Sequence, residues 1–362
     1  MRSDSRKKLD DLSDLIRRVH MTRKYRKAAR VRNKRMNGGY NCSKEYKQIV
    51  LPYWAKYGKK PLKLWYKNYA AETKQVDPRF IPDDIWFSDI LPYYSNNRFS
   101  RYGSDKCQLG IWFPDVKRPY TVAANIAGVF YDNERNVITA DQAAKRCVEY
   151  KRFLIKPSID SYEGRGIRFF DNEQLTEKKM LEVFEDFGCN FIAQEVIRQH
   201  PEISRLNSSS LNTLRLVTFL FEGEVYLLSA ILRIGASNSR VDNVGAGGYA
   251  CPIESTGRLS RRAVNRKSEW CETNDSGIRF DSIVIPSYDK AVETVKRLQR
   301  RMAHFKIIGW DIGIDDGAEP VLIEYNTAPG QNQYSCGPTF GDITERVLED
   351  VFIKKSLSKS NN

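Results

Sequence analysis

The 362-residue chain has seven cysteines and no C-x-x-C pair. Cys42, Cys107, Cys147, Cys189, Cys251, Cys271 and Cys336 are scattered and odd in number, which argues against a disulfide framework or a zinc site and for a reducing cytosol. Histidine is scarce: His20, His200 and His304 are the only three, and none sits in a catalytic constellation. No apolar run approaches the roughly 18 residues of a bilayer span. The best are Leu216 to Phe221 and Val225 to Leu232, with Glu222 and Glu224 between them. The first twenty residues carry charge but no apolar stretch and no small-residue cleavage site, so a secretory signal is not expected. No G-x-x-x-x-G-K-[ST] loop occurs, and no zinc-finger or RNA-binding spacing, so specific nucleic-acid recognition is not expected.

What is present is enough apolar residue to fold. Hydrophobic residues make up 41% and aromatics 12%, which excludes wholesale disorder, and the length suits about two domains or one large domain with an extension. The basic charge is concentrated. Residues 1–70 hold 21 Lys+Arg against 5 Asp+Glu, and the remainder 38 against 40. The densest stretch, Arg17 to Arg35, is made of helix formers and stops at Gly38-Gly39. It reads either as a solvated helix packing its few apolar residues on the body, or as a surface for an anionic membrane face or an acidic polysaccharide. Lys44 to Tyr69 reads as a second helix, Val122 to Tyr131 as a strand pair, and Thr139 or Asp141 as the cap of the next helix.

Beyond residue 150 the chemistry becomes readable. Arg152 to Pro157 and Ile167 to Phe170 read as a hairpin whose loop holds Gly164 and Gly166. Those glycines are either plain turn residues or a backbone cradle for phosphates, with Lys156 supplying a point charge. A helix, Glu173 to Phe187, leads to a strand, Asn190 to Ile197, that ends in Gln194-Glu195. The backbone there could meet a purine edge, or the pair could be a surface feature. Asn212 to Leu220 and Glu224 to Gly235 form a further strand pair that embeds Arg215 and Arg233 in apolar runs. Each guanidinium serves an ion pair or seeks a ligand anion. Near the C-terminus, Ile308 to Ile314 and Pro320 to Gly330 flank the acidic turn Asp315-Asp316-Gly317 and predict an antiparallel pair. Period two puts Glu324 and Asn326 on one face, with Asp311 on the partner strand. These are either salt-bridged core acids or oxygen ligands of the kind Mg²⁺ takes.

The motifs K-P, Q-E-V-I, N-T-L-R, R-x-G, D-N-x-x-x-G-G, G-W-D and E-Y-N-T-A-P-G, in that order, resemble the ATP-grasp superfamily. They are most similar to its sugar-transfer-associated family, and similar also to its glutamate and amino-acid ligases, over about residues 115 to 345. The resemblance implies an α+β fold of two lobes clamping ATP, here with a basic helical N-terminal extension. The segments expected are 1–75 (extension), 76–150 (mixed subdomain), 151–200 (small lobe) and 201–350 (large lobe). Carried over by position, Lys156 contacts phosphates, and Ser161, Gly164 and Gly166 cover them. Gln194, Glu195 and Val196 line the adenine site and Glu202 takes the ribose. Asp311, Glu324 and Asn326 hold Mg²⁺. Arg233, with Arg215, stabilises the transferred phosphoryl group, and Asn243, Gly247 and Gly248 shape the acceptor side. The family's further upstream cation falls to Arg118, Lys145 or Lys151.

The implied activity is ATP-dependent joining of a carboxylate to an amine through an acyl phosphate, with surface polysaccharide biosynthesis as the setting. The carboxylate and the amine are then small molecules or parts of a glycan. The alternatives are a kinase that phosphorylates a hydroxyl and stops, and a polyanion-binding protein with a degenerate ATP site. The expected location is the cytoplasm, with a peripheral place at the inner membrane face open to the basic segment.

Overall fold

No glycine or proline interrupts Arg2 to Arg35, and in the computed structural model these residues form one 34-residue helix, α1. Residues 2–96, 99, 105–159, 165–171, 174–236, 239–240, 247–265 and 267–354 are described. The Gly38-Gly39 stop is real: both glycines take positive φ, 89° and 66°, where any other residue pays a steric cost. The single helix expected over 44–69 is instead broken. Helical turns run from Ser43 to Ala55, the chain turns at Gly58 (φ 64°) and Pro61, and a new helix spans Lys63–Thr73. Proline lacks the N–H a continuing helix needs, and the glycine offers the left-handed turn instead.

Residues 121–195 supply a six-stranded antiparallel sheet. Its strands are β1 (Thr121–Ile126), β2 (Val129–Tyr131), β3 (Val137–Ile138), β4 (Phe153–Pro157), β5 (Arg168–Phe170) and β6 (Phe191–Glu195), in the order β3-β2-β1-β6-β4-β5. Strands from both sides of residue 150 pair here, β1 with β6, so the segments 76–150 and 151–200 share one sheet. Two helices, α2 (Ala140–Tyr150) and α3 (Glu177–Phe187), cover one face through Ala143, Ala144, Cys147, Met180 and Phe184. Thr139 caps α2 in a full capping box with Gln142. Thr176 caps α3, which therefore starts four residues later than Glu173.

The larger sheet has seven strands: β7 (Thr213–Phe221), β8 (Glu224–Ile234), β9 (Tyr249–Pro252), β10 (Ala263–Asn265), β11 (Trp270–Cys271), β12 (Ile307–Ile314) and β13 (Pro320–Asn326). Their order is β11-β10-β9-β8-β7-β12-β13. Alternation divides its side chains between two cores. Leu214, Leu216, Leu232, Ile308, Trp310 and Ile312 pack against the amphipathic helix α4 (Tyr288–Gln299). Val217, Phe219, Phe221 and Ile307, on the other face, pack against the N-terminal helices through Trp54, Trp86 and Tyr94. Each such side chain, once buried, contributes about 1.5–3 kcal/mol. The N-terminal segment is thus half of a core. Arg215 and Asp311 share parity with Val217 and Ile307, so they occupy that same second face, beyond the reach of the N-terminal helices.

Candidate active site

A cavity of about 760 Å³ lies between the two sheets, lined by Leu154, Lys156, Phe169 and Gln194 from the smaller and by Thr213, Arg215, Arg233, Asp311, Glu324 and Asn326 from the larger. Its walls carry eight basic side chains and three acidic ones. Such a balance favours a polyanion, because fixed cations in a low-dielectric recess focus an attractive field.

On the large-sheet side the strands set the geometry. Asp311 on β12 is the direct cross-strand partner of both Arg215 on β7 and Glu324 on β13. Its carboxylate is 1% exposed and accepts from Arg215 Nε at 2.5 Å, Arg215 Nη2 at 2.9 Å and Arg233 Nη2 at 3.0 Å. Arg233 also donates to Thr213 Oγ1 at 2.9 Å. Glycine at 309 makes room for this lattice: a Cβ there would meet Pro329 Cβ at 3.0 Å and the Arg215 stem at 3.3 Å. Burial alone would raise Asp311, but the two guanidiniums hold it down at about 2. Asp311 and both arginines are thus ion-paired with one another, and all three also line the cleft.

Strict alternation does not hold along β13. Asp311 pairs with Glu324 while Ile312 pairs with Leu322, so Ile323 is an extra residue in the ladder. Leu322 and Tyr325 enter the core, whereas Ile323, Glu324 and Asn326 line the cleft. A bulge re-aims side chains in just this way. Burial and the neighbouring Asp311 charge both push the Glu324 carboxyl up. Lys106 Nζ lies 3.7 Å from Glu324 Oε2.

Lys156 projects from β4 of the facing sheet and is 8% exposed. Burial lowers its ammonium to about 8, against the pull of Glu324, and no described carboxylate lies within ion-pair distance of it. A buried ammonium without a fixed partner is matched to a ligand anion. Gly166 has φ 78° and a Cβ on it would lie 3.0 Å from Pro157 Cγ, so the turn beside Lys156 needs glycine; its neighbours Arg165 and Ile167 reach the cleft. Ser161, Gly164 and Asn243 lie outside the described residues, while Gly247 takes φ 103°.

Gln194, Glu195 and Val196 line the cleft at the end of β6. The Glu195 carboxylate turns back to accept from the Tyr120 backbone N–H at 3.1 Å, and the chain that follows continues along the cleft. Glu202 is not brought in. It is absent from the lining and binds Arg205 at 2.9 and 3.0 Å within one helical turn. The segment between β6 and β7 is held by Gln199, whose amide donates to the carbonyls of Asn207 and Ser210, both at 2.7 Å. Ser208, Ser209 and Ser210 thereby reach the cleft where Glu202 does not. Lys106 also enters unannounced, since nothing in its local pattern marks it. Of the three upstream cations considered, Arg118 stacks its guanidinium over Gly110, Lys145 reaches Glu149 on α2 at 4.0 Å, and Lys151 is exposed.

For a divalent cation the chemistry of the donors is suitable. Glu324 and Asn326 offer oxygen from one face, and a cation between Glu324 and Asp311 would relieve the repulsion that raises Glu324. Three hydrogen bonds already occupy Asp311, leaving roughly one lone-pair direction of four. Among the described residues no three His, Cys, Asp or Glu side chains gather as a metal site; the third donor here is an amide.

The chain matches no curated protein sequence. Solved structures with a similar course include the ATP-grasp ligase PsnB complexed with a minimal precursor (11% identity, TM-score 0.39, 70% of this chain and 63% of that one). Others are D-alanyl-alanine synthetase A from Vibrio cholerae (12%, 0.42, 70% and 65%) and biotin carboxylase from Campylobacter jejuni (15%, 0.40, 68% and 45%). The chain spans less than two thirds of the length of each. The model of the sugar-transfer associated ATP-grasp family matches residues 127–335, from the β1–β2 turn to the short helix Gln333–Cys336 after β13 and hence over half of the sequence, and the chain belongs to that family.

Proposed function

We propose that the protein is an ATP-dependent carboxylate–amine ligase that forms an amide through an acyl phosphate. The observation that carries this reading is the convergence of Lys156, Arg233, Glu324 and Asn326 on one cationic cleft between two sheets. No histidine is among the described residues that line the cleft, and the proposed reaction needs no enzyme nucleophile.

A carboxylate does not condense with an amine in water because hydroxide is a poor leaving group. In the proposed reaction a carboxylate oxygen attacks the γ-phosphorus of ATP, and the bond to the β-γ bridging oxygen breaks to release ADP. The amine then attacks the acyl carbon, phosphate leaves, and the amine gives up a proton to solvent. Negative charge accumulates twice, on the phosphoryl oxygens and on the tetrahedral adduct. Fixed donors aimed at those positions lower both barriers. Lys156 holds the phosphate chain. Arg233, anchored by Thr213 and Asp311, keeps its guanidinium oriented for the transferred group and needs no reorganisation. Leu154, Ile167, Phe169 and Ile323 give the cleft apolar walls for a base. Glu324 and Asn326, with Asp311 behind them, would hold Mg²⁺, which supplies charge neutralisation at the β and γ phosphates when bound.

The family name favours a sugar-linked carboxylate as acceptor, in surface polysaccharide biosynthesis. The test is ADP release from the purified protein with Mg-ATP, screened over sugar acids paired with amino acids and amines, with mass spectrometry of the products. An amide product accompanied by stoichiometric ADP is expected. A phosphorylated hydroxyl without amide would replace the ligase by a kinase. No nucleotide turnover with any pair, together with no nucleotide binding, would overturn both.

A further inference from the structure

Helix α1 is about 50 Å long at 1.5 Å per residue, and it uses one face to join the body. Arg18 pairs with Asp89 at 2.6 Å, Tyr25 stacks on Phe87 at 4.1 Å, Ala29 is fully buried and the Asn33 amide donates to Asn68 at 2.8 Å. Arg26 adds an ion pair to Asp84 at 2.8 Å. The apolar residues of its first half take no part in this. Leu9, Leu12, Leu15, Ile16 and Val19 are 66, 52, 54, 62 and 41% exposed. At 3.6 residues per turn they fall within an arc of about 120°, centred about 100° round the helix from the packed residues. The expectation of a helix that packs its few apolar side chains on the body holds for Tyr25 and Ala29 and not for the residues of the first half.

The same stripe changes chemistry along its length. Leu9, Leu12, Ile16 and Val19 continue at steps of three or four into Arg23, Lys27, Arg30 and Lys34, and that mean step keeps them on one line of the helix. All four cations are exposed, and no described carboxylate pairs with them. One outward line is therefore apolar for two turns or more and cationic for the rest.

We propose that this line is a docking surface for an anionic lipid bilayer, on which α1 lies in the interface. Only a bilayer boundary answers both halves: the acyl region takes the leucines and isoleucine while headgroup phosphates take the arginines and lysines. A second copy of the chain answers them poorly. Parallel pairing along the stripe sets cations against cations, and full antiparallel overlap sets cations against leucines. A soluble acidic polysaccharide satisfies the cationic half alone and leaves the apolar half in water. The inference is independent of the chemistry assigned to the cleft.

Co-sedimentation of the full chain with vesicles of phosphatidylcholine alone, or mixed with phosphatidylserine, tests it. Binding is expected with the mixed vesicles and not with the neutral ones. Reversing Arg23, Lys27 and Arg30 to Glu should weaken binding on the order of 10²-fold, and Leu12→Ser with Ile16→Ser should weaken it at least ~10-fold. Both variants should keep the melting temperature and any ATP turnover of the parent. Should either lower the melting temperature, Lys27→Glu and Leu12→Gln read the same two contributions singly. No binding to mixed vesicles would overturn the proposal. So would binding undiminished by the apolar variant, which would leave a purely electrostatic surface of the kind an acidic polysaccharide fits. A solution dimer dissociated by Leu12→Ser with Ile16→Ser would assign the stripe to a second copy.

Discussion

Asp311 and Glu324 face one another as direct cross-strand partners on β12 and β13, yet their carboxyls are held in opposite directions. Arg215 and Arg233 keep Asp311 ionised at about 2, while burial and the Asp311 charge push Glu324 up. One acid is consumed by the protein's own cations. The other has one longer ion pair, to Lys106 at 3.7 Å, at the edge of a cleft open to ligand.

That division predicts different responses to neutralisation. Asp311→Asn strands two partly buried guanidiniums and should cost about 2–4 kcal/mol, somewhat below the range for fully buried pairs because both keep some solvent. Glu324→Gln removes a part-exposed carboxylate whose one ion pair, to Lys106, is long, and should leave stability little changed while abolishing nucleotide turnover. Urea unfolding of the two variants checks this; equal losses would refute the division.

Arg233→Ala should reduce turnover on the order of 10²-fold or more, as loss of a charge-stabilising donor does elsewhere. The fold should persist, since Arg215 still pairs with Asp311 through two nitrogens. Steady-state ADP release, with circular dichroism as the control for folding, reads both. A variant with near-normal turnover would remove Arg233 from the mechanism.

Gly309→Ala should destabilise by about 1–3 kcal/mol, the usual cost of overpacking. The new methyl would press on the rigid Pro329 ring and on the Arg215 stem. Because Arg215 is displaced along with it, turnover should fall more than stability alone explains. Thermal unfolding and ADP release on the same preparation separate the two effects.

Asp83 offers a pH signature away from the cleft. Burial raises it to about 6, although the Gln331 amide at 2.8 Å and the Arg32 charge both pull it down and Asp84 pushes it up. A carboxyl raised in the folded state binds its proton more tightly there than when unfolded. The associated stability is complete below the ordinary value of 3.8 and is lost as pH climbs through about 6. Asp83→Asn keeps an acceptor oxygen for Gln331 without the charge. It should match the parent near pH 3.5 and exceed it by about 2–3 kcal/mol above pH 7, in denaturant titrations across that range.

The final hairpin was legible because its acidic turn and two apolar strands leave one pairing, and because acids inside apolar strands demand partners. The arginines at 215 and 233 were legible for the same reason. The bulge at Ile323 was not: no local residue announces it, and it exists because Leu322 and Tyr325 both find room in the core below. Lys106 reaches the cleft only through tertiary folding of the segment before β1, which no spacing encodes. Glu202 was misplaced because an offset along the chain cannot foresee that Gln199 folds the intervening loop back on itself. Similarly, the break at Gly58 and Pro61 lay within a stretch whose aromatic and basic composition suits a helix on either side.

We propose that Lys156 and Glu324 grip a magnesium nucleotide from opposite sheets. Calorimetric titration of the full chain with ATP, with and without Mg²⁺, tests it most directly when repeated on Lys156→Met and Glu324→Gln. The account predicts magnesium-dependent binding that each substitution weakens at least ~10-fold, with melting temperatures unchanged. ATP binding of equal strength in all three proteins, or none in the parent, would contradict it.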